Sequence, residues 1–423
     1  MRQNQYTECL YYFYDRVRCY MKVNYRKTWV GCYFGAAIQA LAINVVPLFF
    51  ATLHTQFSVS FEMLGRLVLI NFLTQLTVDL LSLFFVDKWG YRTCYLLAHS
   101  TMAVGFVLFG TLPLVLPSPY VGMVIATVVY SIGSGLLEVL ISPMADALPS
   151  DNKATALTMV HAFYPLGQVV TVIVTTAVLA LCGREYWWLV ILVWTLLPLT
   201  NLWRGLRMPF PEVEKVADNG GISGLFRSGQ FWVALLMMLC AGASELAMSQ
   251  WASLFAERAL GISKVTGDLL GPCLFALFMG IGRFWYGRFG GHVPLRPVLL
   301  GSAVMCVGCY ALSVLAPWSG VALLGCAFCG LSVSLMWPGT ISYVAPRMAH
   351  GGTALFCCLA LAGDAGCSLG PWLTGLISDA VQPYCTSGDP VQFGLRVGLM
   401  SAAIFPILMA ILLAFFTGKA KEN

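Results

Sequence analysis

The chain has 423 residues, 59% of them hydrophobic and 10% charged, with a mean hydropathy of +0.79. A water-soluble domain carries about 25% charged residues, so this composition excludes a soluble globular protein and leaves lipid as the solvent for most of the surface. The formal net charge of +5 is accounted for by membrane topology, and no nucleic-acid partner is expected.

A span needs about 20 apolar residues, because the hydrocarbon core is about 30 Å thick and a helix rises about 1.5 Å per residue. Only helices and closed barrels satisfy backbone polar groups in lipid. The apolar runs here are continuous rather than alternating, which selects helices over a barrel. The first 28 residues lack the apolar core of a signal peptide. Within them, Tyr6 to Tyr25 mixes aromatics with Arg16, Arg18 and Lys22; this is the pattern of an interfacial helix or of a disordered basic tail.

Twelve spans are expected. The first, 29–53, carries Gln39 and Asn44, and the second, 64–86, carries Asn71, Gln75 and Asp79 four apart on one face. After 93–115 comes 119–144 with Glu138, then 155–181 with His161, Tyr164 and Gln168, and 186–206 ends the first half of the chain. Residues 207–229 hold the prolines, glycines and alternating charges of a linker. The seventh span, 230–256, carries Glu245, Ser249, Gln250 and Trp251. Spans at 266–289 and 296–316 follow, then 319–344 with Trp337, 352–378 with Asp364, and 392–417 before a short tail, 418–423. The division expected is therefore an N-terminal segment, a six-helix bundle over 29–206, the linker, and a second bundle over 230–417.

Basic residues sort strongly across this topology. Of 24 lysines and arginines, five (Arg66, Arg184, Arg258, Lys264 and Arg396) fall on one side, and the remaining 24 − 5 = 19 lie on the side of the linker. The positive-inside rule makes that side cytoplasmic. The expected location is a multi-pass protein of the plasma membrane with both termini in the cytoplasm.

Two short motifs resemble catalytic or metal sites. Cys306-x-x-Cys309 and Cys326-x-x-Cys329 have zinc-site spacing, but they sit inside spans, where cysteine packs as a small apolar residue. No metal is assigned. Gly366-Cys367-Ser368-Leu369-Gly370 matches a hydrolase elbow. It lies mid-helix, however, and small residues four apart are what close helix packing requires. No nucleophile–base pair and no cofactor motif is read, so an enzyme is not expected.

Four of the 19 carboxylates fall well inside spans: Asp79, Glu138, Glu245 and Asp364. Each costs about 2.5–3.5 kcal/mol at a helix centre on insertion scales, so such acids face a cavity or a partner. Basic side chains within spans are few, so protonation or a cation- or hydroxyl-bearing ligand is the expected compensation. Amides and aromatic plates nearby suit a small polar solute in a wet cavity. The proposed proton-coupling acids are Glu138, Glu245 and Asp364. The proposed solute contacts are Gln39, Asn44, Asn71, Gln75, Asp79, His161, Tyr164, Gln168, Ser249, Gln250, Trp251 and Trp337.

These residues resemble the major facilitator superfamily, whose fold is all-α, with two pseudo-symmetric six-helix bundles and alternating access. Asp87-Lys88-Trp89-Gly90-Tyr91-Arg92 is similar to the superfamily's D-x-x-G-x-R loop, with Leu83 where that pattern has glycine. Gly282-Arg283 through Gly287-Arg288 is a degenerate echo in the second half. The resemblance implies a cytoplasmic gate at Asp87, Gly90, Arg92, Arg283 and Arg288.

Gly135-Leu136-Leu137-Glu138, His161-Ala162-Phe163, Ser334-Leu335-Met336-Trp337-Pro338 and Gly375-Leu376-Ile377-Ser378-Asp379 further resemble the fucose–proton symporter branch. By that resemblance Glu138 is the proton-exchanging acid. The branch's span-one aspartate has no counterpart here, since 42–47 holds only Asn44. The implied function is uptake of a sugar or similar solute with protons or sodium by a functional monomer. Proton-driven efflux remains the alternative within transport, and a membrane-embedded enzyme or receptor the alternative outside it.

Overall fold

The computed structural model describes residues 24–149, 153–211, 225–289, 294–345, 347–348 and 352–416, and all regular secondary structure among them is helical. Most of the aromatic and basic N-terminal stretch, residues 6–23, lies outside the described residues, as does most of the linker.

Among the described residues, eleven helices are long and apolar enough to cross a membrane: α1 (Arg26–Phe57), α2 (Phe61–Ser82), α3 (Lys88–Val115), α4 (Pro119–Ala145), α5 (Met159–Cys182), α6 (Arg184–Gly205), α7 (Gly229–Ala259), α8 (Lys264–Tyr286), α9 (Leu295–Leu315), α10 (Ser319–Val344) and, last of these, α12 (Pro390–Phe415). Between the last two runs α11 (Gly352–Val381), 30 residues long with Asp364 near its middle.

Local chemistry sets several of the ends. Ser60 caps α2 by accepting from the Met63 amide at 3.2 Å, and Ser263 caps α8 by accepting from the Thr266 amide at 3.3 Å. Asp389 caps α12, where Pro390 takes the first helical position. Pro47 tightens α1 into a 3-10 turn over Val46–Phe49.

The loop expected between the second and third spans is instead a kink in one helical run. Gly90 makes the kink with φ 75° and ψ 161°, a conformation essentially restricted to glycine. A glycine in D-x-x-G-x-R is therefore a backbone requirement, since a Cβ there would meet nothing within 4 Å and only the torsion forbids one.

The twelve helices form two bundles of six. Within the first, α4 packs along α2 and α3, and α1 along α5; within the second, α11 packs along α7 and α12, and α9 along α10. The bundles meet where α2 lies against α11 and α5 against α8. Hydrogen bonds cross between them at the end remote from the linker. There Trp372 Nε1 donates to Glu62 Oε1 at 2.9 Å, the Glu62 amide donates to Asp379 Oδ2 at 2.6 Å, and Arg184 pairs with Glu257. At mid-depth Gln168 Nε2 donates to Ser249 Oγ at 3.2 Å, and Gln250 Nε2 to Asn44 Oδ1 at 3.4 Å. The remote end is thus closed.

Three of the five basic residues at that end are neutralised by acids: Arg66 by Glu62, Arg184 by Glu257 and Lys264 by Asp268.

Candidate functional site

The paired bundles bring three of the four intramembrane acids together. One carboxylate oxygen each from Asp79 on α2, Glu138 on α4 and Asp364 on α11 lies within 4.8 Å of the other two. Asp79 and Glu138 are half-buried and Asp364 is 3% exposed. Two of the oxygens, Asp79 Oδ1 and Asp364 Oδ2, are buried without a hydrogen-bond partner among the described residues. Gln39 of α1 approaches Glu138 from the first bundle. The cluster therefore straddles the interface, with two acids from the first bundle and one from the second.

Glu245 is placed differently from the other three, and this corrects the expectation that the intramembrane acids lack basic partners. Arg283, from α8, approaches Glu245 with Nη2 to Oε2 at 3.5 Å, and its Nε donates to the Ser334 carbonyl at 3.2 Å. Ser334 sits at a break in α10, between the helical stretches Ser319–Val333 and Met336–Val344, so its carbonyl is free to accept. Arg283, expected at the gate from the resemblance, is partly exposed beside the more buried Glu245.

The other expected solute contacts divide by what already occupies them. On α5, His161 is exposed, Tyr164 half-buried and Gln168 2% exposed. With spacings of three and four these lie on one face, so access to the site fades from the linker end toward the closed end. His161 Nε2 is 3.2 Å from Ser142 Oγ, and Tyr164 lies near Asn44.

Trp337 is half-buried, and a Cβ on Gly363 would lie 2.2 Å from its ring, so the indole rests on the backbone next to Asp364. By contrast, Asn71 Oδ1 accepts from Gln75 Nε2 at 3.0 Å and from Ser131 Oγ at 2.6 Å, and Gln75 Oε1 accepts from Ser134 Oγ at 3.0 Å. Those amides join α2 to α4. Trp251 is 1% exposed, with Nε1 donating to the Pro371 carbonyl at 2.9 Å, and Ser249 and Gln250 are engaged in the cross-bundle bonds.

Of the gate residues, Arg92 donates to the Leu206 carbonyl at 3.3 Å, tying α3 to the end of α6. The side chains of Asp87 and Arg288 lie outside the described residues. The cysteine pairs do face each other, with Cys306 and Cys329 sulfurs 3.8 Å apart and Cys326 bonded to Ser313.

Sequence reading missed the buried pair of Lys264 and Asp268, at 2.8 Å. Its signal was there: a lysine and an aspartate four apart at the head of an apolar helix.

A sequence model of the Major Facilitator Superfamily matches residues 32–371, and the chain belongs to that family. As a member of that family it is a secondary transporter. Solved structures share the fold at low identity. A bacterial homolog of the human lysosomal transporter Spinster, inward-facing and occupied, is 14% identical with a TM-score of 0.71 over 93% of this chain and 97% of that one. A D-xylose–proton symporter is 16% identical at 0.74, over 93% and 98%. The E. coli fucose–proton symporter is 15% identical at 0.63, over 93% and 100%. No curated protein sequence matches the chain.

Proposed function

We propose that this transporter moves a sugar or similar small polar solute together with protons, by alternating access. The observation that supports the reading best is the carboxyl cluster across the bundle interface. Two unit charges at about 4–5 Å repel by roughly 3–4 kcal/mol at an effective dielectric near 20. Three bare carboxylates would drive the bundles apart there, whereas protons shared among them remove the repulsion. Proton occupancy thereby biases which arrangement of the bundles is favoured, because it interacts differently with the two.

In this scheme Glu138, half-buried beside Gln39, exchanges protons, and Asp364 carries the change to the second bundle. Glu245 with Arg283, Asn44, Tyr164, His161 and Trp337 receives the solute. Two of the solved relatives, by their names, are sugar–proton symporters, which adds support to the choice of solute class.

The test is transport by protein reconstituted in liposomes against a panel of sugars. A pH gradient, acidic on the solute side, should drive accumulation of at least one member. Accumulation driven only by a sodium gradient would make sodium the coupling ion. Proton-driven extrusion would make the protein an exporter.

We also place the linker and both termini in the cytoplasm of the plasma membrane. An impermeant thiol reagent should fail to label Ser223→Cys from outside intact cells in a cysteine-replaced background. Labelling from outside reverses the orientation.

A further inference from the structure

At the closed end, α8 opens with a lysine that turns into the protein. Lys264 is 5% exposed and Asp268 fully buried. Lys264 Nζ donates to Asp268 Oδ1 at 2.9 Å, to Asp268 Oδ2 at 2.8 Å and to Ser253 Oγ at 2.9 Å. Ser253 Oγ, on α7, donates in turn to Asp268 Oδ1. The remaining contact comes from the other bundle: Thr176 Oγ1, on α5, donates to Asp268 Oδ2 at 2.7 Å. All three ammonium protons and both carboxylate oxygens are satisfied.

We propose that this network is the latch of the closed end and that Thr176 is the positioning residue that releases it. The ion pair lies wholly within the second bundle, so it stays neutral and bonded when the bundles separate. Of this network's bonds only the one from Thr176 has to break, and water can then replace it on both partners. A latch in which the two charges sat on opposite bundles would strip and restore the hydration of two ions in every cycle, a heavy cost.

Arg184 and Glu257 do sit on opposite bundles, but Arg184 is 46% exposed, and water screens such a pair. The bonds from Trp372 to Glu62 and from the Glu62 amide to Asp379 also cross here but are only part-buried, so the bond from Thr176 to a fully buried carboxylate is the contact that governs how long this end stays shut. A hydrogen bond to a charged group is worth enough that losing it shifts the closed-to-open ratio about 10- to 100-fold.

The experiment compares the parent with Thr176→Val, which keeps the shape and removes the donor, and with Thr176→Ser, which keeps the donor. Spin labels at Leu181→Cys and Trp318→Cys, both exposed at this end on opposite bundles, report its opening by pulsed distance measurement in a cysteine-replaced background. No solute or gradient is present, so the outcome is independent of which ion is coupled.

The latch predicts that Thr176→Val raises the ratio of long to short distances at least 10-fold at an unchanged melting temperature, and that Thr176→Ser restores the parental distribution. If Thr176→Val folds poorly, Thr176→Ala serves in its place. A distribution that neither apolar variant shifts overturns the proposal, as does a serine variant as open as the valine one.

Discussion

Glu138→Gln should abolish accumulation of solute on a pH gradient while leaving solute counterflow within a few-fold of the parent. Glutamine keeps the shape of the protonated acid and can still meet Gln39, so the neutral arrangement of the cluster with Asp79 and Asp364 survives. What it cannot do is lose the proton when the site faces the other side. Counterflow needs only the exchange of one bound solute for another, so it continues. Net uphill uptake needs the charge to change between the two faces, so it stops.

The contrasting arm is Glu245→Gln. Glu245 sits beside Arg283 rather than in the cluster. Losing a charged hydrogen bond there should weaken solute binding by about 1.5–3 kcal/mol, roughly 10- to 150-fold, read as a rise in the counterflow half-saturation. If Glu138→Gln accumulates solute on a pH gradient as well as the parent, Glu138 is not the coupling acid. In that event Asp364 is the next to test.

Gly366→Ala should cost the protein most of its thermal stability. A Cβ on Gly366 would lie 1.9 Å from the Leu239 carbonyl oxygen and 2.9 Å from the Ala243 amide nitrogen. Both are backbone atoms of α7, so no rotamer change relieves the clash and the two helices must part. Overpacking usually costs about 1–3 kcal/mol and more when backbone must shift, so a destabilisation of about 3 kcal/mol or above is expected in a detergent melting assay.

Ser368→Ala is the control. Its buried hydroxyl donates to the Asp364 carbonyl one turn back at 2.9 Å, and removing one such bond should cost about 0.5–1.5 kcal/mol, well short of the glycine variant. A melting temperature for Gly366→Ala equal to the parent's would remove the close approach of α7 and α11. Because Asp364 is two residues from Gly366, the same separation should also pull its carboxyl from Asp79 and Glu138 and impair coupling.

Solvent, fold class and helix count were legible in the order of the amino acids. These follow from composition and from the length of apolar runs, which depend on no contact between distant residues. The sequence also singled out Asp79, Glu138, Glu245 and Asp364, because an acid in an apolar run stands out wherever the helix is placed. Reading Gly366 and Gly370 as packing residues needed only helical spacing, and the backbone of α7 lies against them.

Which acids meet was decided by tertiary structure alone. Asp79 and Asp364 are 285 positions apart (364 − 79), and only the packing of α2 against α11 brings their oxygens within 4.8 Å. The same holds for Arg283, whose neighbours in the chain suggest a loop but whose side chain reaches Glu245 across to α7. Amides at ideal spacing, such as Asn71 and Gln75, turned out to be bonded between α2 and α4. Spacing fixes the face of a helix a side chain occupies. Whether that face meets a cavity, lipid or another helix depends on how the helices assemble, and that is set by the sum of many contacts between segments far apart in the chain.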